Sequence, residues 1–422
     1  MTRPSESPAP LRAALFFIPA VAVLAQACPA AAGEIRAWTQ FTPQGLEARA
    51  ITDAPECPKI AVDGREAPMS PRAKPSPNFP NLVCSAPIPK ETKEAAIDKK
   101  PLALAPARFE KILLIGDTGC RLKAFPPMFQ DCNSPEAWPF RKIAEAAAAM
   151  KPDLVAHLGD LYYRETPCPP FRAGCAGSPY GDNWETWKAD FFAPAEALLG
   201  AAPFVFVRGN HEECRRGGKG WARMIDAYPA EPDVCRVDEA PYALDLGGAT
   251  LVVMDTIGAE DRALDEIGAA KYKAQFEALA AREGPLWLAF HKPVFATIRV
   301  VRGASEGDNK TLAEAARTSI PSNVEAILSG HLHVFEVASY KADFPVQIVA
   351  GHGGDLNEKL TPANFDGLAV NGMTVDVGRA APTVFGFGLL ERGEGEWRVT
   401  GYDALGEAFA RCRLRGRKMR CD

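Results

Sequence analysis

Five short polar motifs, each preceded by an apolar run, constrain this chain of 422 residues most strongly. Every apolar run reads as a buried strand, and the polar side chains follow it directly. In order, the motifs are residues 116–119 (Gly-Asp-Thr-Gly), 159–163 (Gly-Asp-Leu-Tyr-Tyr), 209–212 (Gly-Asn-His-Glu), 290–293 (Phe-His-Lys-Pro) and 330–333 (Gly-His-Leu-His). The chain contains six histidines, and four of them lie in these motifs. This concentration of oxygen and nitrogen donors predicts a metal-centred hydrolase.

The region after about residue 109 alternates between strand and helix patterns. We predict strands at 111–115, 154–158, 204–207, 251–254, 286–290, 324–328 and 346–350, helices at 138–150, 184–199 and 263–281, and a hairpin at 385–402. Continuous apolar strands are typically covered on both faces, and their alternation with helices predicts α/β layers. Because loops at the carboxyl ends of such strands converge, we expect the five motifs to share one crevice.

The first 32 residues have the pattern of a secretion signal. Two arginines precede the apolar stretch 13–25, and small residues follow it. A membrane anchor is disfavoured because these thirteen residues fall short of the roughly 20 that span a bilayer. Lipid attachment at Cys28 is an alternative, although Ala25 replaces the usual large aliphatic residue. We expect a secreted or periplasmic protein with no membrane contact after signal removal.

Residues 33–108 differ in composition from the remainder. They are rich in proline and turn residues, and they show short strand patterns at 37–41 and 46–52. We predict a small β-rich N-terminal domain or arm here, followed by a catalytic domain at 109–422.

Cysteine usage fits export. The chain has eleven cysteines, and ten remain after residue 32, an even number that predicts disulfides in a secreted protein. The spacing favours nearest-neighbour pairs: Cys57–Cys84, Cys120–Cys132, Cys168–Cys175, Cys214–Cys235 and Cys412–Cys421. A thiolate zinc site is disfavoured because the sequence has no Cys-x-x-Cys.

The donor types in the motifs restrict the metal. The set mixes carboxylates, an amide oxygen and imidazoles: Asp117, Asp160, Asn210, His291, His331 and His333. It suits iron, manganese or zinc better than calcium. Six donors are too many for one tetrahedral ion, so two ions sharing a carboxylate are expected, an arrangement used for displacement at phosphorus. Singly, each motif is also compatible with an ordinary turn or a surface strand.

Together, the motifs resemble those of the calcineurin-like metallophosphoesterase superfamily over about residues 111–334. Within it the chain is similar to the purple acid phosphatase branch, because Tyr163 stands three residues after Asp160. The resemblance implies a two-sheet β-sandwich flanked by helices in four layers. It also implies two metal sites that share Asp160. The first would comprise Asp117, Asp160, Tyr163 and His333, and the second Asp160, Asn210, His291 and His331.

Tyr163 bears on the identity of the first ion. A free phenol has a pKa of about 10, so only a strong Lewis acid would hold it ionised near neutral pH. We therefore expect Fe(III) at this site and Fe(II), Zn or Mn at the other. The alternative is that Tyr163 only lines the cleft.

The resemblance further implies hydrolysis of small phosphate monoesters by a metal-bound hydroxide. His211 would act near the leaving group, and Asp160 would bridge the ions. Arg215, Arg216 and His352 are candidate substrate contacts; the alternative is that the arginines are solvated loop residues and that His352 only shapes its glycine-rich turn. A phosphodiesterase or nucleotide hydrolase on the same site is the alternative, and a non-catalytic secreted metal- or phosphate-binding protein is a further one. The net charge of −5 argues against a nucleic-acid partner. The sequence does not indicate an oligomeric state.

Overall fold

The computed structural model describes Met1 and residues 34–229, 234–301, 304–307 and 309–422. The predicted signal segment, 1–32, therefore lies outside the described residues apart from Met1. Within the described ranges, no helix is both long and apolar enough to cross a membrane. Residues 34–422 form one compact unit.

Strands dominate this unit. In chain order they are β1 Ile35–Thr42, β2 Gly45–Thr52, β3 Lys59–Val62, β4 Arg65–Pro68, β5 Ser70–Ala73, β6 Leu82–Pro87, β7 Ala95–Ile97, β8 Lys100–Pro101, β9 Lys111–Ile115, β10 Leu122–Lys123, β11 Met128–Phe129, β12 Leu154–His157, β13 Phe204–Phe206 and β14 Tyr242–Asp245. The series continues with β15 Thr250–Val253, β16 Leu286–Ala289, β17 Thr297–Val301, β18 Ala304–Gly307, β19 Val324–Ser329, β20 Phe335–Tyr340, β21 Val346–Ala350, β22 Ala369–Val370, β23 Met373–Ala381, β24 Gly386–Arg392, β25 Trp397–Asp403, β26 Ala408–Arg415 and β27 Lys418–Cys421.

Two large sheets contain most of these strands. One has eleven strands in the order β27-β26-β25-β24-β9-β12-β13-β1-β2-β6-β5. The other has eight in the order β14-β15-β16-β19-β21-β20-β23-β22. Their centres are parallel: β9, β12 and β13 run together in the first sheet, and β15, β16, β19 and β21 in the second. The parallel strands bring successive carboxyl ends to one edge of each sheet.

Helices are few. They are α1 Phe140–Ala149, α2 Trp184–Trp187, α3 Glu196–Leu199, α4 Gly218–Gly220, α5 Glu266–Ala278 and α6 Lys310–Ala316. The predicted helix at 184–199 is interrupted. A π-helical turn, Lys188–Phe192, follows α2, and the chain restarts as α3 only after Pro194. Proline has no backbone N–H and crowds the preceding turn, so the break falls there.

A shared core lies between the two sheets. Ile112 and Leu114 of β9 pack there with Trp287 of β16 and Leu328 of β19. All four side chains are fully buried. This contact makes the two sheets a sandwich.

The outer faces of both sheets are covered by helices. Leu113 of β9 packs in one cluster with Phe140 and Ile143 of α1. Leu288 of β16 packs in another with Phe276 of α5, together with residues of α6. The layers are therefore helix, sheet, sheet, helix. The predicted fold class is confirmed, and the apolar runs lack alternation because both faces of these strands are buried.

The N-terminal strands join the large sheet. β1 pairs with β13 in parallel at Gln40 and Phe204, and β2 and β6 extend the sheet beyond β1. The four-stranded sheet β4-β3-β7-β8 accounts for most of the remaining strands before residue 108. The region is β-rich, and a separate folding unit at 33–108 stays a prediction.

Within the described residues, five disulfides cross-link the chain. They join Cys57 to Cys84, Cys120 to Cys132, Cys168 to Cys175, Cys214 to Cys235 and Cys412 to Cys421. These are the nearest-neighbour pairs that the spacing favours. Three of them anchor loops that follow β9, β12 and β13, the strands that lead to the motifs.

Candidate metal centre

The motifs meet in strained turns at the strand ends. Asp117, Asp160 and His331 all have left-handed backbone conformations, with φ angles of 57°, 58° and 71°. Each such non-glycine residue costs about 1–3 kcal/mol, and strain of this kind clusters at functional sites. In each case the turn aims a donor side chain back over the end of its strand.

The glycines that precede these residues allow the close approach. Gly159 has a φ of 96°, and a Cβ there would lie 2.5 Å from Nδ1 of His291. A Cβ on Gly330 would lie 2.7 Å from Oδ2 of Asp117. Real Cβ atoms do not approach other atoms so closely, so only glycine lets the turns pack against one another.

The first predicted ligand group is assembled around the Tyr163 hydroxyl. This oxygen lies 2.9 Å from Oδ1 of Asp117, 2.9 Å from Oδ2 of Asp160 and 3.1 Å from Nε2 of His333. The four side chains come from three of the five motifs, and their polar atoms converge on one point.

The second group is assembled around Nε2 of His291. This nitrogen lies 3.1 Å from Oδ2 of Asp160, 3.1 Å from Oδ1 of Asn210 and 3.3 Å from Nδ1 of His331. The ligand atoms of Asp160, His291 and His331 all lie within 4.8 Å of one another. Oδ2 of Asp160 belongs to both groups, because it lies 2.9 Å from the Tyr163 hydroxyl and 3.1 Å from Nε2 of His291.

Backbone carbonyl groups orient two of the imidazole rings. Nδ1 of His291 hydrogen bonds to the Leu158 carbonyl at 2.7 Å, and Nδ1 of His333 to the Leu356 carbonyl at 2.8 Å. Both rings therefore carry the Nδ1 proton and present Nε2 to the centre. Such outer contacts typically fix metal-binding histidines.

The electrostatics also fit a cation site. Burial opposes charge on His291, but the Asp160 carboxylate outweighs it and raises the pKa of His291 to about 9. Burial likewise opposes charge on His333, and the carboxylates of Asp355 and Asp117 raise its pKa to about 9. The site therefore holds negative charge that favours positive charge nearby. Two carboxylates, an amide, a phenol and three imidazoles are donors that fit a pair of transition-metal ions.

Glu212, the last residue of its motif, braces the centre. Its buried carboxylate accepts hydrogen bonds from the backbone N–H groups of Asp160, Leu161, Tyr162 and Gly209, at 2.8–3.1 Å. The motif order alone did not identify this role. The bonds lock the turn after β12 onto the turn after β13, and so position Asp160 relative to Asn210.

His211 lines a cavity of about 1000 Å³ over the centre. Its Nδ1 lies 2.8 Å from Oε1 of Glu165, and its backbone N–H donates to Oδ1 of Asp160 at 2.8 Å. Burial lowers the pKa of His211 to about 4, against the opposing effect of the Asp160 and Glu165 carboxylates. No sequence pattern marks Glu165, an ordinary charged loop residue five positions after Asp160.

The three predicted substrate contacts are placed differently. Arg216 lines the cavity, and its Nη2 pairs with Oε1 of Glu165 at 2.7 Å. Arg215 is exposed and is not among the described residues that line the cavity. His352 is fully buried with its ring against Phe335 and Phe409, and it too is not among them. Of the three, Arg216 is the candidate substrate contact that lines the cavity.

Two further carboxylates flank the histidines. Asp261 lies 3.5 Å from Nε2 of His331 and also pairs with the buried Lys292. Asp355 lies 3.5 Å from Nε2 of His333 and binds the Arg121 guanidinium. Both residues lie in irregular loops that are separate from the motifs in sequence. No sequence pattern marks either of them.

Comparison with known proteins agrees with this geometry. The family model for calcineurin-like phosphoesterases matches residues 110–335, more than half of the chain, and the chain belongs to that family. It is therefore a metal-dependent phosphoester hydrolase, and the predicted superfamily and enzyme class are confirmed.

Two solved structures share the fold. The structure of purple acid phosphatase PPD1 from yellow lupin (Lupinus luteus) seeds is 14% identical with a TM-score of 0.57, over 90% of this chain and 73% of that chain. The structure of PhoD is 11% identical with a TM-score of 0.54, over 92% of this chain and 91% of that chain. No curated protein matches the sequence. At these identities the likeness concerns the fold, and the substrate has to be argued from the site.

Proposed function

We propose that the chain is a secreted, dinuclear-metal phosphomonoesterase of the purple acid phosphatase type. The ligands of the first ion would be Asp117, Asp160, Tyr163 and His333, and those of the second Asp160, Asn210, His291 and His331. One observation carries the proposal: two groups of donor atoms share Oδ2 of Asp160, which lies 2.9 Å from the Tyr163 hydroxyl and 3.1 Å from Nε2 of His291.

The metal identity follows from Tyr163. Burial and the nearby carboxylates of Asp117 and Asp160 raise the pKa of Tyr163 well above its usual value. A phenolate there needs a strong Lewis acid, so we assign Fe(III) to this site and Fe(II), Zn or Mn to the other. When bound, the ions would supply a deprotonated water and Lewis acidity toward phosphate oxygens.

The protein's own groups act on the leaving oxygen. Nδ1 of His211 lies 2.8 Å from Oε1 of Glu165, and Nε2 is the nitrogen on the side of the centre, 4.0 Å from Oδ2 of Asp160. An arriving phosphate dianion favours a proton on Nε2, which can then be donated to the departing alkoxide. Arg216 lines the same cavity, where it would contact phosphate on the substrate.

A monoester is favoured over a diester by the charge at the cavity. Arg216, Arg262 and Lys310 all line it, and a monoester dianion gains more from them than a diester monoanion does. Export is supported by the five disulfides, which persist in oxidising compartments.

The test is a comparison of p-nitrophenyl phosphate with bis(p-nitrophenyl) phosphate on the purified protein. We expect kcat/KM for the monoester to exceed that for the diester by at least about tenfold, and both activities to disappear on chelation of the metals. A preference for the diester would indicate the phosphodiesterase alternative. Bound metal without turnover of either ester would indicate a non-catalytic protein.

A further inference from the structure

Lys123 lies at the wall of the cavity. Among the described residues it has no ion-pair partner. It is half-buried and lines the same cavity as His211 and Arg216. No carboxylate oxygen lies within 4.0 Å of its Nζ among the residues described by the structure. Burial, followed by the nearby Arg216 cation, lowers its pKa. A lysine kept partly out of water beside another cation is poised to gain a bound anion.

The loop that carries Lys123 is rigid. Lys123 ends the two-residue strand β10, which pairs with β11, and the Cys120–Cys132 disulfide closes the loop around this hairpin. The neighbouring Leu122 exchanges backbone hydrogen bonds with Tyr163 and Glu165 at 3.1 Å. The lysine is thus fixed relative to the loop that holds Tyr163 and the carboxylate that orients His211.

The other cations on this side of the cavity form ion pairs, whereas Lys123 forms none among the described residues. Arg121 also lines the cavity, but its guanidinium is taken up by Asp355 and lies over the Tyr163 ring, 4.7 Å from the centroid. Glu165 is paired with Arg216 and His211, so it and Asp355 favour the charge of Lys123 only at longer range, and neither forms an ion pair with it in the described residues.

Of the other acidic residues that line the cavity, Asp160 is one of the proposed metal ligands, and Asp261 and Glu358 lie beside histidines of the centre. Asp261 is paired with Lys292 and lies beside His331. Glu358 is next to His333, to whose carbonyl oxygen its backbone N–H donates at 2.9 Å. The charge of Lys123, without an ion pair among the described residues, therefore lies in the cavity that His211 lines, where the alcohol portion of a substrate would depart.

We propose that Lys123 and Arg216 form a second anion subsite, which binds a second phosphate carried by the alcohol portion of the substrate. The preferred substrates are then organic bisphosphates, and the inference rests on the proposed phosphomonoesterase function. The cavity of about 1000 Å³ accommodates such a molecule. Lysine is a frequent phosphate ligand, and the Arg216 guanidinium, held by Glu165 and by the Asn210 carbonyl, adds positive charge and further N–H donors.

The reaction balances with water as the only co-reactant. The oxygen of water bonds to the phosphorus at the metal centre, and the ester P–O bond breaks. The ester oxygen leaves with a proton, so the products are inorganic phosphate and an alcohol that still carries its second phosphate. That product retains its charge, and we expect it to inhibit competitively.

The kinetic test compares glucose 1,6-bisphosphate with glucose 6-phosphate. In the wild type we expect kcat/KM for the bisphosphate to be about tenfold higher or more, as for one added charged hydrogen-bonding contact. In Lys123→Gln the ratio should fall towards one, and in Lys123→Glu below one. The exposed Lys93 provides the matched control Lys93→Gln, which removes the same charge far from the cavity and should keep the wild-type ratio.

Failure of the subsite and failure of the proposed function are distinguishable. Hydrolysis of both sugars with a ratio near one, unchanged in Lys123→Gln, would overturn the subsite and leave the phosphatase intact. If neither sugar is hydrolysed, calorimetric binding of glucose 1,6-bisphosphate to the same protein decides. A Kd about tenfold weaker in Lys123→Gln supports the subsite, and an equal Kd in the two proteins overturns it.

Discussion

His211 is held by a carboxylate that lies outside the five motifs. Oε1 of Glu165 is 2.8 Å from Nδ1 of His211 and 2.7 Å from Nη2 of Arg216. Glu165 therefore acts on the leaving group only through these two side chains, and it is a positioning residue. Among the described residues, the Glu165 side chain forms no hydrogen bond with a donor atom of the proposed metal ligands. A substitution of Glu165 therefore tests the positioning of His211 separately from metal binding.

Glu165→Ala should lower kcat about 10- to 100-fold, the usual effect of losing an outer contact at such a site. Glu165→Gln keeps an oxygen that accepts the Nδ1 proton, so it should recover a large part of the loss. Metal content, measured by mass spectrometry on the same samples, should stay at the wild-type value in both. Loss of metal in Glu165→Ala, or an equal effect of both substitutions, would show a structural role instead.

The residues of the site divide by how visible they are in the sequence. Six of the seven proposed ligands were predicted because they follow apolar runs, where their residue types are unusual, and Tyr163 was predicted from the family resemblance. Glu165, Asp261 and Asp355 were not found, since an acidic residue in a loop is ordinarily solvated. For His352 the sequence left two roles open, at the cavity or in shaping its glycine-rich turn, and its ring is buried between aromatic side chains.

The turns after the strands depend on glycine more than on any other residue type. Gly159 has a left-handed φ of 96° and lies directly under His291, and Gly330 is similarly close to Asp117. Each turn is packed against another turn, so a side chain at one glycine displaces a donor in a different motif. The metal centre and the fold are therefore coupled at these positions.

Gly159→Ala should destabilise the protein by at least about 2 kcal/mol, from the left-handed backbone and the displacement of the His291 ring. Denaturant unfolding measures the change in the free energy of unfolding, and metal content should fall with it. Gly200→Ala is the matched control: its φ is −85°, and a Cβ there would lie 3.9 Å from its nearest neighbours. We expect this control to lie within about 0.5 kcal/mol of the wild type. A wild-type free energy of unfolding in Gly159→Ala would contradict the close packing of the turns.

At the level of helices and strands, the strongest patterns were also the most accurate. Strands β9 and β21 begin and end at the predicted residues, because long apolar runs fix strands that are buried on both faces. The segment at 184–199 was less predictable. Its composition is helical, but a π-helical turn and Pro194 divide it, and the buried aromatic packing of Phe191 and Phe192 compensates for the break.

The sandwich as a whole contains buried histidines that do not belong to the metal centre. His157 and His352 are fully buried, and burial lowers the pKa of each to about 3. Their folded pKa values lie below the unfolded value of about 6.5. The unfolded chain therefore binds more protons between pH 6.5 and pH 3, and the stability contributed by neutral burial is lost as pH falls through this window.

His352→Phe removes one of the two imidazoles that take up a proton on unfolding, and it keeps an aromatic ring against Phe335 and Phe409. Between pH 6 and pH 4 the free energy of unfolding of the wild type should fall more steeply than that of the variant, by up to about 1.4 kcal/mol per pH unit. Denaturant unfolding at several pH values gives both slopes. Equal slopes would mean that His352 is protonated in the folded state.

The arrangement of the whole chain was the least predictable from sequence. The composition of residues 33–108 indicated a distinct β-rich region, but not that β1 would pair with β13 in the large sheet. Such a pairing joins residues more than 160 positions apart, and nothing in either strand specifies its partner. The two sheets were likewise implied by family resemblance and not by the pattern of the residues.

The central claim is that side chains from the five motifs hold two metal ions through one shared carboxylate. It is tested most directly by the metal content of the purified protein and of Asp160→Asn, measured by mass spectrometry per chain. We predict two ions per wild-type chain, at least one of them iron, and a loss of metal from both sites in Asp160→Asn. A single ion in the wild type, or two ions retained in Asp160→Asn, would contradict the claim.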